Sequence, residues 1–358
     1  MPIKQTEEDI RQLNLFQTFY GPRNSHDRLS NIIDIWDAAP KYVTPRRNSN
    51  LSVYASDQVV ERTFEFKGDV LRVRTAAAAF KDASGKTVIK LPTPREELIE
   101  DVLRKIAVQQ KLASVGLTIL NTGEEVRVFN VKFSLYMLRN ELAKYGHSIK
   151  YAELVEALMI MSGSIVEIGY ANKRTAIHRA AILTSLVGVS REDLRNDPNA
   201  LWEACFHPMV VCSLATIEYR QYDYSHTMCY RLSLARWIHK RLSMVYSNAG
   251  MLHPYKLKLS STRNNSGLIN HSTVRHQARA IDEALDEMKS LNVIRFIERQ
   301  QIIEGRRIQD VEYTIHPTME FITLVKAANA RQRDARITVN ESANVKSITD
   351  AAHLHLKL

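Results

Sequence analysis

The sequence predicts an α+β protein, and three observations carry that prediction. Apolar residues recur at helical spacing in several segments opened by capping residues. Apolar and polar residues alternate in short runs that follow those segments, and the same order of the two occurs twice along the chain. In each half three helical segments precede a hairpin, which is the order of a winged helix. The expected architecture is therefore tandem winged-helix domains with small β-hairpin wings, and a chain of 358 residues has room for both.

The elements are read in order. Residues 1–50 mix charge, Asn, Ser and Pro around one apolar cluster, Ile32, Ile33, Ile35 and Trp36, which can dock as a short helix; the remainder is expected to be a mobile N-terminal arm. Residues 51–223 are expected to form the first winged-helix domain behind a small β-meander, with strands at 52–55, 62–66, 70–75 and, after a turn at 82–85, 87–91. Thr93-Pro94-Arg95-Glu96 is a capping box with proline at the first helical position, followed by Leu98, Val102 and Ile106 at helical spacing. A strand at 125–133 leads to Ser134, which caps a helix that ends at Gly146. A further helix at 150–161 precedes a hairpin of 165–170 and 175–186.

Residues 224–329 are expected to form the second domain. Its helices are placed at 226–246, within 255–264, and at 272–290. Its wing is 293–303 and 309–315 around a turn at 304–307, and Pro317 opens a last helix at 318–329. Residues 330–358 are polar and basic and are expected to be a flexible tail.

Charge separates the halves. The chain carries a net +10, yet residues 94–170 hold 9 Lys and Arg against 10 Asp and Glu, whereas residues 226–336 hold 18 against 10. From Tyr224 through Ile281 there is no acid at all, while Arg231, Arg236, Lys240, Arg241, Lys256, Lys258, Arg263, Arg275 and Arg279 supply nine cations. A polyanion is the partner such a run fits. The helix at 272–290 sharpens this reading. Val274, Ala278, Ile281, Leu285 and Met288 make one apolar stripe, and Ser272, Arg275, His276 and Arg279 stand opposite near the N-terminus. Asp282, Glu283, Asp286 and Glu287 come only later, the reverse of what the helix dipole favours.

Ser272, Arg275, His276 and Arg279 are thus expected to read DNA bases. Arg231, Arg236, Lys240, Arg241, Lys256, Lys258, Arg263 and Thr273 are expected to hold the DNA backbone, with two of the four cations on the first helix capping or pairing internally. Arg299, Arg306 and Arg307 are assigned to the wing. The third helix of the first half carries Glu153 and Glu156, a surface that repels DNA and is expected to meet a second subunit or the other domain.

The runs Tyr219-Arg-Gln-Tyr-Asp-Tyr-Ser-His226, Leu234-Ala-Arg-Trp-Ile-His-Lys-Arg-Leu242, Ser266-Gly-Leu-Ile-Asn270 and Ala280-Ile-Asp-Glu-Ala-Leu-Asp-Glu-Met288 resemble the theta-type plasmid replication initiators of the RepA group. The similarity extends upstream through Ile35-Trp-Asp-Ala-Ala-Pro-Lys41 and Arg95-Glu-Glu-Leu98, covering about residues 30–329. The resemblance implies a cytoplasmic bacterial protein that binds direct repeats (iterons) at a plasmid origin and opens an adjacent A·T-rich segment. It further implies recruitment of the host initiator and replicative helicase, and repression of its own promoter as a dimer.

Other readings are weaker. Gly85-Lys86-Thr87 lacks the earlier glycine of a phosphate loop and leads into a strand. His353 and His355 resemble a nuclease metal motif but lie at the end of the sequence with no tyrosine after them. Cys205, His207 and Cys212 have no paired-cysteine spacing for zinc, and all three cysteines, Cys229 included, are expected to be small buried residues in a reducing compartment. No catalytic residue, metal, cofactor or membrane partner is expected. The competing function is a winged-helix transcriptional regulator without initiator activity, and a nicking endonuclease is the third.

Overall fold

A computed structural model of the chain describes residues 28–44, 58–82, 84–110, 116–118, 125–127, 130–173, 176–190, 192, 200–215 and 219–355. The first of these segments is no arm. Its apolar cluster divides into strand β1 (Leu29–Ile33) and the one-turn helix α1 (Asp34–Ala38), and Ile32, Ile33 and Trp36 are fully buried. Burial of such side chains contributes roughly 1.5–3 kcal/mol each, enough to hold a short segment in place. The rest of the arm, residues 1–27 and 45–50, lies outside the described residues, as does the strand expected at 52–55.

Strands β2 (Val59–Phe66) and β3 (Asp69–Ala76) form a hairpin across Lys67 and Gly68, both at positive φ, as a two-residue turn of right-handed twist requires. A second hairpin, β4 (Ala78–Lys81) and β5 (Thr87–Lys90), has a first strand that the sequence pattern did not reveal. Helix α2 (Pro94–Gln110) opens on the expected capping box, with the Thr93 amide and hydroxyl each donating to the Glu96 carboxylate at 2.7 Å. Strands β6 (Gly116–Thr118), β7 (Glu125–Arg127) and β8 (Asn130–Phe133) lead to helix α3 (Leu135–Lys144), where the Ser134 hydroxyl accepts from the Met137 amide. Helix α4 (Tyr151–Gly163) is followed by β9 (Ile165–Tyr170), β10 (Ala176–Ala181), β11 (Leu183–Val187), β12 (Trp202–Phe206), helix α5 (Pro208–Ala215) and β13 (Tyr219–Asp223). The sheets run β10-β9-β3-β2 and β11-β12-β8, and β13 pairs antiparallel with β1.

The second half opens on a break. The single helix expected over 226–246 is two, α6 (Tyr224–Cys229) and α7 (Ser233–Val245). Between them the chain turns extended to drive Tyr230 into the core, where its hydroxyl meets His239 Nδ1 at 2.9 Å. Residues expected to start the next helix instead form strand β14 (Tyr255–Lys258), and only then helix α8 (Leu259–Ser266), which Gly267 ends at φ 62°. Helix α9 (Val274–Ser290) and the long hairpin β15 (Ile294–Glu304) and β16 (Arg307–Pro317) match the pattern closely, and the sheet runs β14-β16-β15.

Helix α10 (Met319–His355) corrects the expectation of a flexible tail from residue 330. Its Ala328 and Ala335 are buried, and Gln332 Nε2 donates to the Tyr219 carbonyl at 2.9 Å. The start of the expected tail thus docks on β13.

The chain is α+β, with two hydrophobic clusters among the described residues. One gathers residues between Ile32 and Met228 together with Met244 and Ala335; the other runs from Tyr230 to Val325. Helix, strand, two helices and hairpin recur in both halves, but the sheet partners differ. β14 joins the hairpin β15-β16, whereas β8 pairs with β12 and leaves the hairpin β9-β10 to join β3.

Candidate nucleic-acid interface

Helix α9 sits where its sequence pattern places it. Ala278, Ile281, Leu285 and Met288 are buried, and Val274 at the first turn is half-buried. Thr273 is the N-cap, its hydroxyl accepting from the His276 amide and lying 2.7 Å from His276 Nδ1. Arg275, His276 and Arg279 are exposed, and they line one side of a cleft of about 590 Å³. The other side is the hairpin, through Arg299, Gln301, Ile308 and Val311.

The hairpin is fixed against the helix at its base. The Tyr313 hydroxyl donates to the Ala278 carbonyl at 3.2 Å, and Arg299 lies 3.7 Å from Asp282. Burial pushes the Tyr313 phenol up, and the neighbouring Asp282 carboxylate adds to the shift, so this hydroxyl keeps its proton and its role as donor. At the middle of the hairpin Asp310 accepts from the Ser260 amide at 3.0 Å. Against partial burial, these Ser260 bonds and the Val311 amide hold its carboxyl below the usual range.

Arg279 is paired with Glu283 one turn later at 2.9 Å, with both side chains exposed. Such a surface pair stabilises by about 0–1 kcal/mol, a small barrier to exchanging the carboxylate for another anion. Arg275, Arg306 and Arg307 form no ion pair among the described residues. Arg306 lies in the hairpin turn beside Gly305, which has φ 61°, and Arg307 opens β16.

The remaining sites lie elsewhere. Lys256 and Lys258 project from β14, Lys256 meeting Glu312 at 2.9 Å, and Arg263 is exposed on α8; none of them lines the cleft. Ser272 is exposed just before the cap of α9. Arg231 is exposed and Arg241 half-buried.

Lys240 and Arg236 are corrections. Lys240 is 3% exposed and its ammonium sits 2.6 Å from Asp101 and 3.2 Å from Glu97. Helix α2 turns four carboxylates inward (Glu96, Glu97, Glu100 and Asp101), and burying acids without cations is costly, so α7 delivers one. Arg104 completes the cluster with two bonds to Asp37, at 2.7 and 2.8 Å, and one to Asp101. Arg236 is 5% exposed and donates to the Tyr230 carbonyl.

Glu153 and Glu156 serve their own half. Glu153 caps α4, and Glu156 holds Lys90 and Arg95. Among the cysteines, Cys205 is half-buried and Cys229 exposed, so the expectation of burial fails for both; the side chain of Cys212 lies outside the described residues. His207 is buried and stacked on Trp36 at 4.3 Å between ring centroids, and its Nδ1 accepts from the Met209 amide. The Gly85 turn leads into strand β5. No group of three metal-ligating side chains occurs among the described residues, and no described helix is long and apolar enough to cross a membrane.

Sequence reasoning missed Gln301 and Asp282 as cleft residues. Two-residue alternation from Arg299 would have found the first, and the four-residue helical step from Ala278 the second.

No family model and no curated protein matches this sequence. Among the solved structures similar to it are two of RctB and one of the Pi initiator protein. A structure of domains 2 and 3 of RctB has 12% identity and a TM-score of 0.48, covering 80% of this chain and 96% of its own. A second structure of RctB domains 2–3 has 12% identity and a TM-score of 0.45, covering 81% and 99%. The Pi initiator protein in complex with iteron DNA has 10% identity and a TM-score of 0.38, covering 63% and 94%.

Proposed function

We propose that this protein is a replication initiator of the theta type, gripping repeated sites in double-stranded DNA through a winged helix over residues 224–329 behind a first winged-helix domain over 51–223. The observation that supports it is the shared cleft, in which Arg275, His276 and Arg279 of α9 face Arg299 and Gln301 of the hairpin. A helix of this kind, about 10–12 Å across its side chains, fits a major groove about 12 Å wide. Arg275 and Arg279 near its N-terminus then reach base edges, and the hairpin turn carrying Arg306 and Arg307 reaches the neighbouring backbone or minor groove. Lys256, Lys258, Arg263, Arg231 and Arg241 contact phosphates. The sequence resemblance supports the rest of the proposed function: opening of adjacent A·T-rich DNA, recruitment of host initiator and helicase, and self-association in one state.

Binding to tandem repeats from the DNA flanking the gene tests the reading. Arg279→Ala is expected to lose about 1–3 kcal/mol of discrimination at one base position. Lys258→Ala is expected to weaken all sequences equally and to shallow the logarithmic salt slope by about 0.9. Equal behaviour of the two variants would remove the division between reading and holding. Permanganate-reactive thymines beside the repeats separate an initiator from a regulator that only occupies a promoter.

A further inference from the structure

The distal half of the hairpin stands clear of the body, since every residue from Glu298 to Arg307 is exposed. Its tip carries an unexpected residue for solvent. Ile303 is 58% exposed, beside Arg306 and Arg307 across the Gly305 turn. Strand alternation from Arg299 and Gln301, both lining the cleft, puts Ile303 on the cleft face, while Ile302 falls on the other.

A β-bulge sharpens the placement. The register Gln301↔Val311 and Ile302↔Asp310 shifts so that Ile303 faces Ile308, leaving Gln309 as the extra residue. An unbroken ladder would set Gln309 opposite Ile303. The bulge substitutes Ile308, which lines the cleft, and so backs one isoleucine with another at the tip. Bulges give up regular pairing to re-aim a side chain, and here the side chain re-aimed is apolar, on the face that carries Arg299.

We infer that Ile303, propped by Ile308 on the face that carries Arg299 and next to the turn that carries Arg306, is a wedge that enters a base step in the minor groove of duplex DNA and bends it. An exposed aliphatic side chain beside a cleft lined by arginines suits a partner that is anionic outside and apolar between its stacked bases. The inference rests on the DNA-binding reading and extends it from contact to deformation.

The test uses the full chain and a duplex selected by the wild-type protein from a random pool. The duplex is end-labelled with a fluorophore pair to report bending, and 2-aminopurine is placed at successive steps beside the segment protected by α9. Wild type is expected to bend the duplex and to raise 2-aminopurine emission at one or two adjacent steps. Ile303→Ala loses both signals while keeping the base preference, and Ile302→Ala, at an exposed isoleucine on the opposite face, keeps both. A bend and emission unchanged in Ile303→Ala, or lost equally in Ile302→Ala, overturns the wedge. Failure to enrich any duplex, or wild-type binding by Arg275→Ala and Arg279→Ala, overturns the DNA-binding reading itself, and the wedge with it.

Discussion

At the scale of single residues, burial decides what a charge does. Lys240 and Arg279 are both basic residues on helices of the second half, yet one neutralises Glu97 and Asp101 inside the protein and the other meets only Glu283 in solvent. Lys240→Ala takes the cation from half-buried Glu97 and leaves buried Asp101 with Arg104 alone, and breaking such a buried pair costs about 3–5 kcal/mol. Thermal or denaturant unfolding should show that loss, and the effect on DNA binding should disappear at temperatures where the variant is folded. Gly267 is sensitive for a different reason. It ends α8 at φ 62°, and a Cβ there would stand 2.9 Å from the Arg62 guanidinium carbon, so Gly267→Ala is expected to destabilise by at least about 1 kcal/mol in the same assay.

Buried imidazoles give a pH window. Desolvation pushes His239 down to about 3, Asp223 opposing and His226 assisting, and desolvation with His178 and Lys41 pushes His207 to about 3 as well. Both are bases with depressed folded values, so between about pH 3 and 6.5 the unfolded chain binds more protons than the fold. Stability therefore falls as pH drops through that window, by up to about 1.4 kcal/mol per pH unit for each histidine. The slope measured between pH 6 and 4 should lose about one proton in His239→Gln.

At the scale of elements, legibility followed periodicity. Helix α9 and the hairpin were readable because their one-sided apolar patterns are long enough to exclude other periods, and with them came the cleft formed by Arg275, Arg279 and Arg299. The pattern failed where elements are short or continuously apolar. Tyr255–Lys258 is four residues of alternation that read as the start of a helix, and Leu29–Ile33 is buried on every side, so no alternation exists to read. Lys240 was misplaced because its reason lies on α2, more than 130 residues earlier, and no local pattern records such a partner. The same helix offers a prediction. Glu283→Gln releases Arg279 from its ion pair, and DNA affinity in a gel-shift at fixed salt should rise, by an amount within the roughly 0–1 kcal/mol that an exposed pair is worth.

At the scale of the whole molecule, several links tie the two hydrophobic clusters of the described residues together. Lys240 of the second half enters the carboxylate cluster of α2, Asn265 Oδ1 accepts from the Glu65 amide at 2.9 Å, and α10 places Val325 in one cluster and Ala335 in the other. Halves joined in this way are expected to unfold together. Calorimetry of the intact chain should show one transition, and Lys240→Ala, which cuts one of these links, should split it.

Withdrawal of Lys240 and Arg236 into the interior also reshapes what an approaching polymer meets. Among the exposed cations of the acid-free run, Arg231 alone precedes those of the cleft, β14 and α8, which come after residue 255, so the electric field is weighted toward that part of the fold. On the DNA-binding reading, diffusional encounters are then oriented before contact, with α9 and the hairpin turned toward the polyanion.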